Sequence, residues 1–144
     1  VRRKIILDTG PLVALLNLRD TYHEWAKAQF AEIEPPLLSC EAVISEACFL
    51  LRTLPRGPRA VLDLLNRGVV EIPFHLAEEA DPVMRLLTRY ASVPMALADA
   101  CLIRMAEQHA KSTVITLDND FHVYRKQGRQ VVPTIMPEVA RRNT

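Results

Sequence analysis

Glycine is scarce, with four in 144 residues. A loop that wraps a nucleotide phosphate needs several at close spacing, so nucleotide-cofactor enzymes are set aside. Cysteine is sparse and odd in number: Cys40, Cys48 and Cys101 form no Cys-x-x-Cys, and each lies in an apolar stretch. That pattern excludes a disulfide framework or zinc site and predicts buried thiols in a reducing cytoplasm. His23, His75, His109 and His122 are scattered without metal-ligand spacing. Ser39, Ser45, Ser92 and Ser112 lack the context of a nucleophile elbow. Neither sign of charge dominates, 18 basic against 17 acidic residues for a net +1, so any attraction to nucleic acid must be local. No apolar run is long enough to span a bilayer. The run after Arg2-Arg3-Lys4 is interrupted at Asp8 and ended by Asn17, Arg19 and Asp20, which no signal peptide tolerates.

What is present is an ordinary globular composition, 49% hydrophobic and 24% charged, and a length suited to one domain over residues 1–144. Lys4-Ile5-Ile6-Leu7 reads as a buried strand, broken by Thr9-Gly10-Pro11, with Thr9 placed to cap a helix over residues 12–18. Asp20-Thr21 can cap a helix from Tyr22 to about Ile33. Further helices are expected over residues 41–54, 60–66, 76–90, 96–109 and 121–127. Strands are expected at 37–39, 69–73, 113–116 and 130–132. The alternation predicts an α/β fold, a three-layer α/β/α sandwich around a mostly parallel sheet. Ligands of such sheets bind beyond the carboxyl ends of the strands.

Four carboxylates stand where apolar neighbours predict burial. Asp8 follows Ile5-Ile6-Leu7, Glu46 interrupts an apolar helix, Asp99 lies within Met95-Ala96-Leu97-Ala98-Asp99-Ala100-Cys101, and Asp118 ends Val114-Ile115-Thr116-Leu117. Each has an ordinary explanation: Asp8 as a helix cap, Glu46 paired with Arg52, Asp99 as a cap, Asp118 and Asp120 in a turn. Together they suggest more. Buried like charges repel, and a divalent ion with a taste for hard oxygen donors would relieve them.

The same residues carry a family resemblance. Ile6-Leu7-Asp8-Thr9-Gly10-Pro11-Leu12-Val13-Ala14 resembles the opening motif of PIN domains, and Asp20-Thr21-Tyr22-His23 resembles the segment that often comes after that motif in the VapC-like branch. Ser45-Glu46-Ala47, Leu97-Ala98-Asp99-Ala100 and Thr116-Leu117-Asp118-Asn119-Asp120-Phe121 resemble the later acidic motifs, in order along nearly the whole chain. The resemblance implies a Mg2+- or Mn2+-dependent endoribonuclease, a dimeric toxin restrained by a small antitoxin. It implies that Asp8 and Asp99 are metal ligands, that Glu46 binds metal or orients water, and that Asp118, or else Asp120, completes the set. Thr9 and Thr116 are expected to position these groups. Ala96 departs from many relatives, which carry an acid there.

An acidic site repels phosphate, so RNA needs basic contacts. Arg125, Lys126 and Arg129 flank the closing motif and are the preferred candidates. Arg52, Arg56, Arg59 and Arg67 are a second group. A catalytically silent PIN-like binding module and a housekeeping RNA-processing nuclease are the rival readings. An aspartic protease, suggested by Asp8-Thr9-Gly10, is disfavoured by the helical pattern of the next residues.

Overall fold

The computed structural model describes residues 3–138, so Arg2 of the basic opening lies outside the described residues. Strands β1 (Lys4–Leu7), β2 (Leu37–Leu38), β3 (Val70–Glu71), β4 (Ser112–Ile115) and β7 (Thr134–Ile135) form one sheet in the order β3-β2-β1-β4-β7. Every pairing in it is parallel. A separate antiparallel hairpin joins β5 (Arg125–Lys126) to β6 (Gln130–Val131). Among the described residues the α-helices are α1 (Thr9–Leu16), α2 (His23–Glu32), α3 (Glu41–Leu50), α4 (Gly57–Asn66), α5 (Ala80–Arg89) and α6 (Leu97–Gln108).

Successive strand residues point to opposite faces. Val114 and Ile115 are nevertheless both fully buried, as are Ile6 and Leu7. Both faces of the central strands are therefore covered, which makes the expected three-layer sandwich. Helix α6 rests on β1 and β4 and packs against α5, while α1 packs against α2, α3 and α4. The buried side chains of all these elements form one apolar cluster.

Strand order fixes where a site can form. From β1 the chain builds outward through β2 and β3 on one side, then returns to place β4 on the other. The reversal falls between β1 and β4, and the carboxyl ends of these two strands are where side chains on the adjoining loops converge.

Several expected boundaries shift. Helix α1 starts at Thr9, because Asp8 is its cap and accepts from the Thr9 amide. The carboxylate of Asp20 accepts from the Tyr22 amide and leaves α2 without a side-chain cap. Helix α3 ends at Leu50, and α4 begins at Gly57 with Pro58 in its first turn, where a missing N–H costs nothing. The helix expected over 76–90 divides into a 3-10 turn, Leu76–Glu79, and α5, since Pro82 cannot continue the ladder of a helix begun earlier.

The helix expected over 121–127 is instead a 3-10 turn, Asn119–His122, followed by β5. Gln127 and Gly128, both with positive φ, turn the chain into β6. Gly128 is thus a hairpin residue. The 130–132 strand belongs to this hairpin, and β7 supplies the last strand of the main sheet.

Candidate active site

Asp8 leaves β1 as the cap of α1 and is 6% exposed. Its Oδ1 accepts from the Thr9 amide at 2.7 Å, and its Oδ2 accepts from the Thr116 hydroxyl at 2.6 Å. Thr116, fully buried at the end of β4, in turn accepts from the Asp118 amide at 2.9 Å. The Thr9 hydroxyl donates to Glu46 Oε1 at 2.5 Å, tying α1 to α3. Asp99 sits in the first turn of α6, where the helix dipole favours a negative charge, and its Oδ2 accepts from the Tyr124 hydroxyl at 3.0 Å. Tyr124 is fully buried, held edge-on by Tyr90 and Phe121 at 5.1 and 5.3 Å between ring centroids.

These hydrogen bonds bring the four carboxylates to one place. Asp8, Glu46, Asp99 and Asp118 all line a cleft of about 700 Å³ beyond the ends of β1 and β4, with Thr9 beside them. Asp120 is not among its lining residues. Its amide donates to Asp118 Oδ1 at 2.9 Å and fixes that carboxylate. Glu46 is exposed and held by Thr9, while Arg52, its expected partner, stacks on Phe49 at 4.0 Å. Ala96 puts a methyl group on the cleft wall at the position of the expected acid.

Burial raises the pKa of Asp8 to about 7, helped by the charges of Asp99 and Asp118 and opposed by its two hydrogen bonds. Asp99 is raised to about 6, first by burial, then by Asp118, Glu46 and Asp120, against the hydrogen bond from Tyr124. The Tyr124 hydroxyl is itself pushed up by burial and by Asp99, and stays a donor. Such a set of mutually repelling hard-oxygen donors fits a divalent cation. Among the described residues, no three acidic, histidine or cysteine side chains already close into a cage for one.

None of the three basic residues preferred for RNA contact lines the cleft. Arg125 turns its guanidinium to the carbonyls of His122, Val123 and Tyr124. Lys126 is buried, with its ammonium 3.4 Å from the Ala110 carbonyl. Arg129 is exposed on the hairpin. Chain proximity to Asp118 misled here, because β5 turns inward after the 3-10 turn. Of the second group, Arg56 and Arg59 line a different groove on α4, and Arg67 pairs with Asp63 at 3.2 Å.

The lining residues that sequence reasoning passed over are Arg19, Tyr22 and Leu50. Asp20-Thr21 read as a helix cap and Asp20-Thr21-Tyr22-His23 as a family-like segment, with no site role given to Arg19 or Tyr22. Tyr124 was missed because no motif includes it, and only packing delivers its hydroxyl to Asp99. Cys40, Cys48 and Cys101 are free thiols, the first and last buried.

A parallel α/β/α sandwich with acidic side chains converging at its strand reversal defines the class: an α/β protein with a carboxylate-lined cleft suited to a cation. A family model described as PIN domain matches residues 5–127, and the chain belongs to that family. It is 26% identical to ribonuclease VapC26 of Mycobacterium tuberculosis (strain ATCC 25618 / H37Rv), over 79% of this chain and 86% of that protein. Among solved structures it is similar to Mycobacterium tuberculosis VapC20, a sarcin-ricin loop cleaving toxin. That match has a TM-score of 0.76 and 24% identity over 83% of this chain and 94% of the other. It also resembles VapBC2 from Rickettsia felis bound to a DNA fragment from its promoter, with a TM-score of 0.58 and 14% identity over 93% and 98% of the two chains.

Proposed function

We propose that this chain is a divalent-metal-dependent endoribonuclease, the toxin of a toxin–antitoxin pair, acting as one domain in the cytoplasm. The observation that carries the reading is the convergence of Asp8 and Asp99, from β1 and α6, on one cleft where burial and like charge raise both pKa values. The named relatives, a ribonuclease and a sarcin-ricin loop cleaving toxin, support RNA as the substrate. The likeness to VapBC2 supports a small antitoxin as partner, and the homodimer rests on the resemblance of the sequence motifs.

Asp8 and Asp99 would hold Mg2+ or Mn2+, with Glu46 and Asp118 completing the set. When bound, the ion supplies Lewis acidity toward a phosphoryl oxygen and acidifies a water. The Thr9 amide and Thr116 hydroxyl orient Asp8, and Tyr124 orients Asp99. Glu46, the most open of the four, accepts a proton from the water that attacks phosphorus, and Asp118 is its alternative in that role. One observation favours the rival binding module: Ala96 leaves the cleft an acid short of many relatives.

The test is incubation with structured and single-stranded RNA in Mg2+, Mn2+ or chelator, beside Asp8→Asn and Asp99→Asn. Cleavage is expected to need metal and to vanish in both folded variants. Equal cleavage by parent and variants would mean a contaminant. No cleavage, with no metal binding by calorimetry, would establish the silent module.

A further inference from the structure

Among the described residues, the cleft that gathers the carboxylates has one cationic lining residue, Arg19, on the loop between α1 and α2. Five carboxylates line the same cleft, including its neighbour Asp20. Yet among the described residues the Arg19 guanidinium takes part in no hydrogen bond, ion pair or ring contact. Seven other arginines are engaged: Arg67, Arg85 and Arg104 in ion pairs, Arg52 and Arg89 on aromatic rings, Arg3 and Arg125 on backbone carbonyls. Arg56, Arg59 and Arg129 share the free state of Arg19 among the described residues, but none of them lines this cleft. Arg19 is exposed and stands at the cleft unspent.

The loop that carries it is built to hold a shape. Asn17 Oδ1 accepts from the Arg19 amide at 3.1 Å, and Asp20 Oδ1 accepts from the Tyr22 amide at 2.8 Å. The Asp20 amide donates to the Asn17 carbonyl and the His23 amide to the Asp20 carbonyl, both at 3.0 Å. Buried His23 closes the arrangement, its Nδ1–H donating to the Ala14 carbonyl at 2.8 Å. That loop also places half-buried Tyr22 on the cleft, together with Leu50 of α3, a leucine 51% exposed. A cation beside an aromatic ring and an uncovered aliphatic side chain is the pairing that grips a nucleic-acid strand: phosphate on the guanidinium, base against the apolar wall.

We propose that the α1–α2 loop is the substrate grip, with Arg19 holding a backbone phosphate and Tyr22, which lines the same cleft as Leu50, stacking an unpaired base. The proposal rests on the ribonuclease reading and narrows it to an RNA strand whose bases are out of a helix. A base inside an A-form duplex cannot reach a ring in a cleft wall. Arg19 offsets part of the repulsion between phosphate and the acidic floor, a task for which Arg125 and Lys126 are not placed.

The experiment measures fluorescence anisotropy of a labelled unpaired RNA oligonucleotide with the full chain carrying Asp99→Asn, so that it binds without cutting. Arg19→Ala, Tyr22→Ala and Tyr22→Phe are added singly, with Arg85→Ala on α5 as a charge-matched control. Arg19→Ala is expected to weaken binding for all sequences and to reduce the slope of log K against log salt by about 0.7, the value of one single-strand phosphate contact. Tyr22→Ala is expected to weaken it by about ten-fold or more, and Tyr22→Phe to bind as the parent does, because the ring remains. Arg85→Ala should keep the parental slope. A parental slope in Arg19→Ala, or parental affinity in Tyr22→Ala with native circular dichroism, would overturn the grip while leaving the ribonuclease reading standing. An Asp99→Asn parent that does not bind RNA, together with an unsubstituted chain that does not cleave it in Mg2+ or Mn2+, would sink both.

Discussion

The Asp8 carboxylate receives two short hydrogen bonds, and burial still lifts its pKa from near 3.8 to about 7. Between those values the folded chain binds more protons at this group than the unfolded chain does. Its contribution therefore favours the fold below about pH 4 and is lost as pH rises through about 7. Asp8→Asn keeps the shape and removes the charge. With metal present we expect it to abolish cleavage, yet in chelator to raise stability at pH 8 by on the order of 2–4 kcal/mol, with the gain vanishing near pH 4. Denaturant titration across that range reads it directly. A parent whose stability is flat from pH 4 to 7 would contradict the burial argument. Asp8 also shows how one residue answers two readings. It is the helix cap that a plain account predicts, and that position at the end of a central strand is what aims it into the cleft.

At the scale of elements, the site depends on how α3 is held, because α3 carries Glu46. The turn after α3 brings Gly57 against it so closely that a Cβ there would lie 2.0 Å from the Leu51 carbonyl oxygen. Gly57→Ala must push α4 away from α3. We expect a loss of about 2–3 kcal/mol and a melting temperature lower by several degrees. Gly68→Ala makes the contrast: its φ of +75° disfavours a side chain, but nothing stands within 4 Å, so about 1 kcal/mol is expected. Equal losses in the two variants would refute the close-approach explanation. Both glycines lie at helix boundaries, where the sequence was least legible. Apolar spacing located α3 and α4, but their ends were set by backbone contact that spacing does not encode. The same holds for the 121–127 segment, expected as a helix, where buried Phe121 and Tyr124 instead anchor a turn and the start of a hairpin in the core.

For the molecule as a whole, the raised pKa values of Asp8 and Asp99 mean that folding gathers charge it has not itself neutralised. A bound divalent cation would return that cost as stability. At pH 8 we expect saturating Mn2+ to raise the melting temperature by several degrees, since a ligand at about a hundred times its Kd adds about 2.7 kcal/mol. At pH 5, where both carboxyls are largely protonated, the gain should shrink, and Asp99→Asn should lose it. A parent that melts identically with and without Mn2+ at pH 8 would remove the metal from the account. The alternation of strands and helices and the acidic motifs were legible along the chain, because apolar periodicity and a charge within it are local properties. Which of those charges meet follows from the way the elements pack. The order β3-β2-β1-β4-β7 sets the ends of β1 and β4 side by side, bringing Asp118 onto the cleft while leaving Asp120 off it. It also turns Lys126 inward, delivers Arg19 and Tyr22 to the cleft and the Tyr124 hydroxyl to Asp99. Convergence of distant residues comes from strand order and packing, and neither is written in the spacing of residues along the chain.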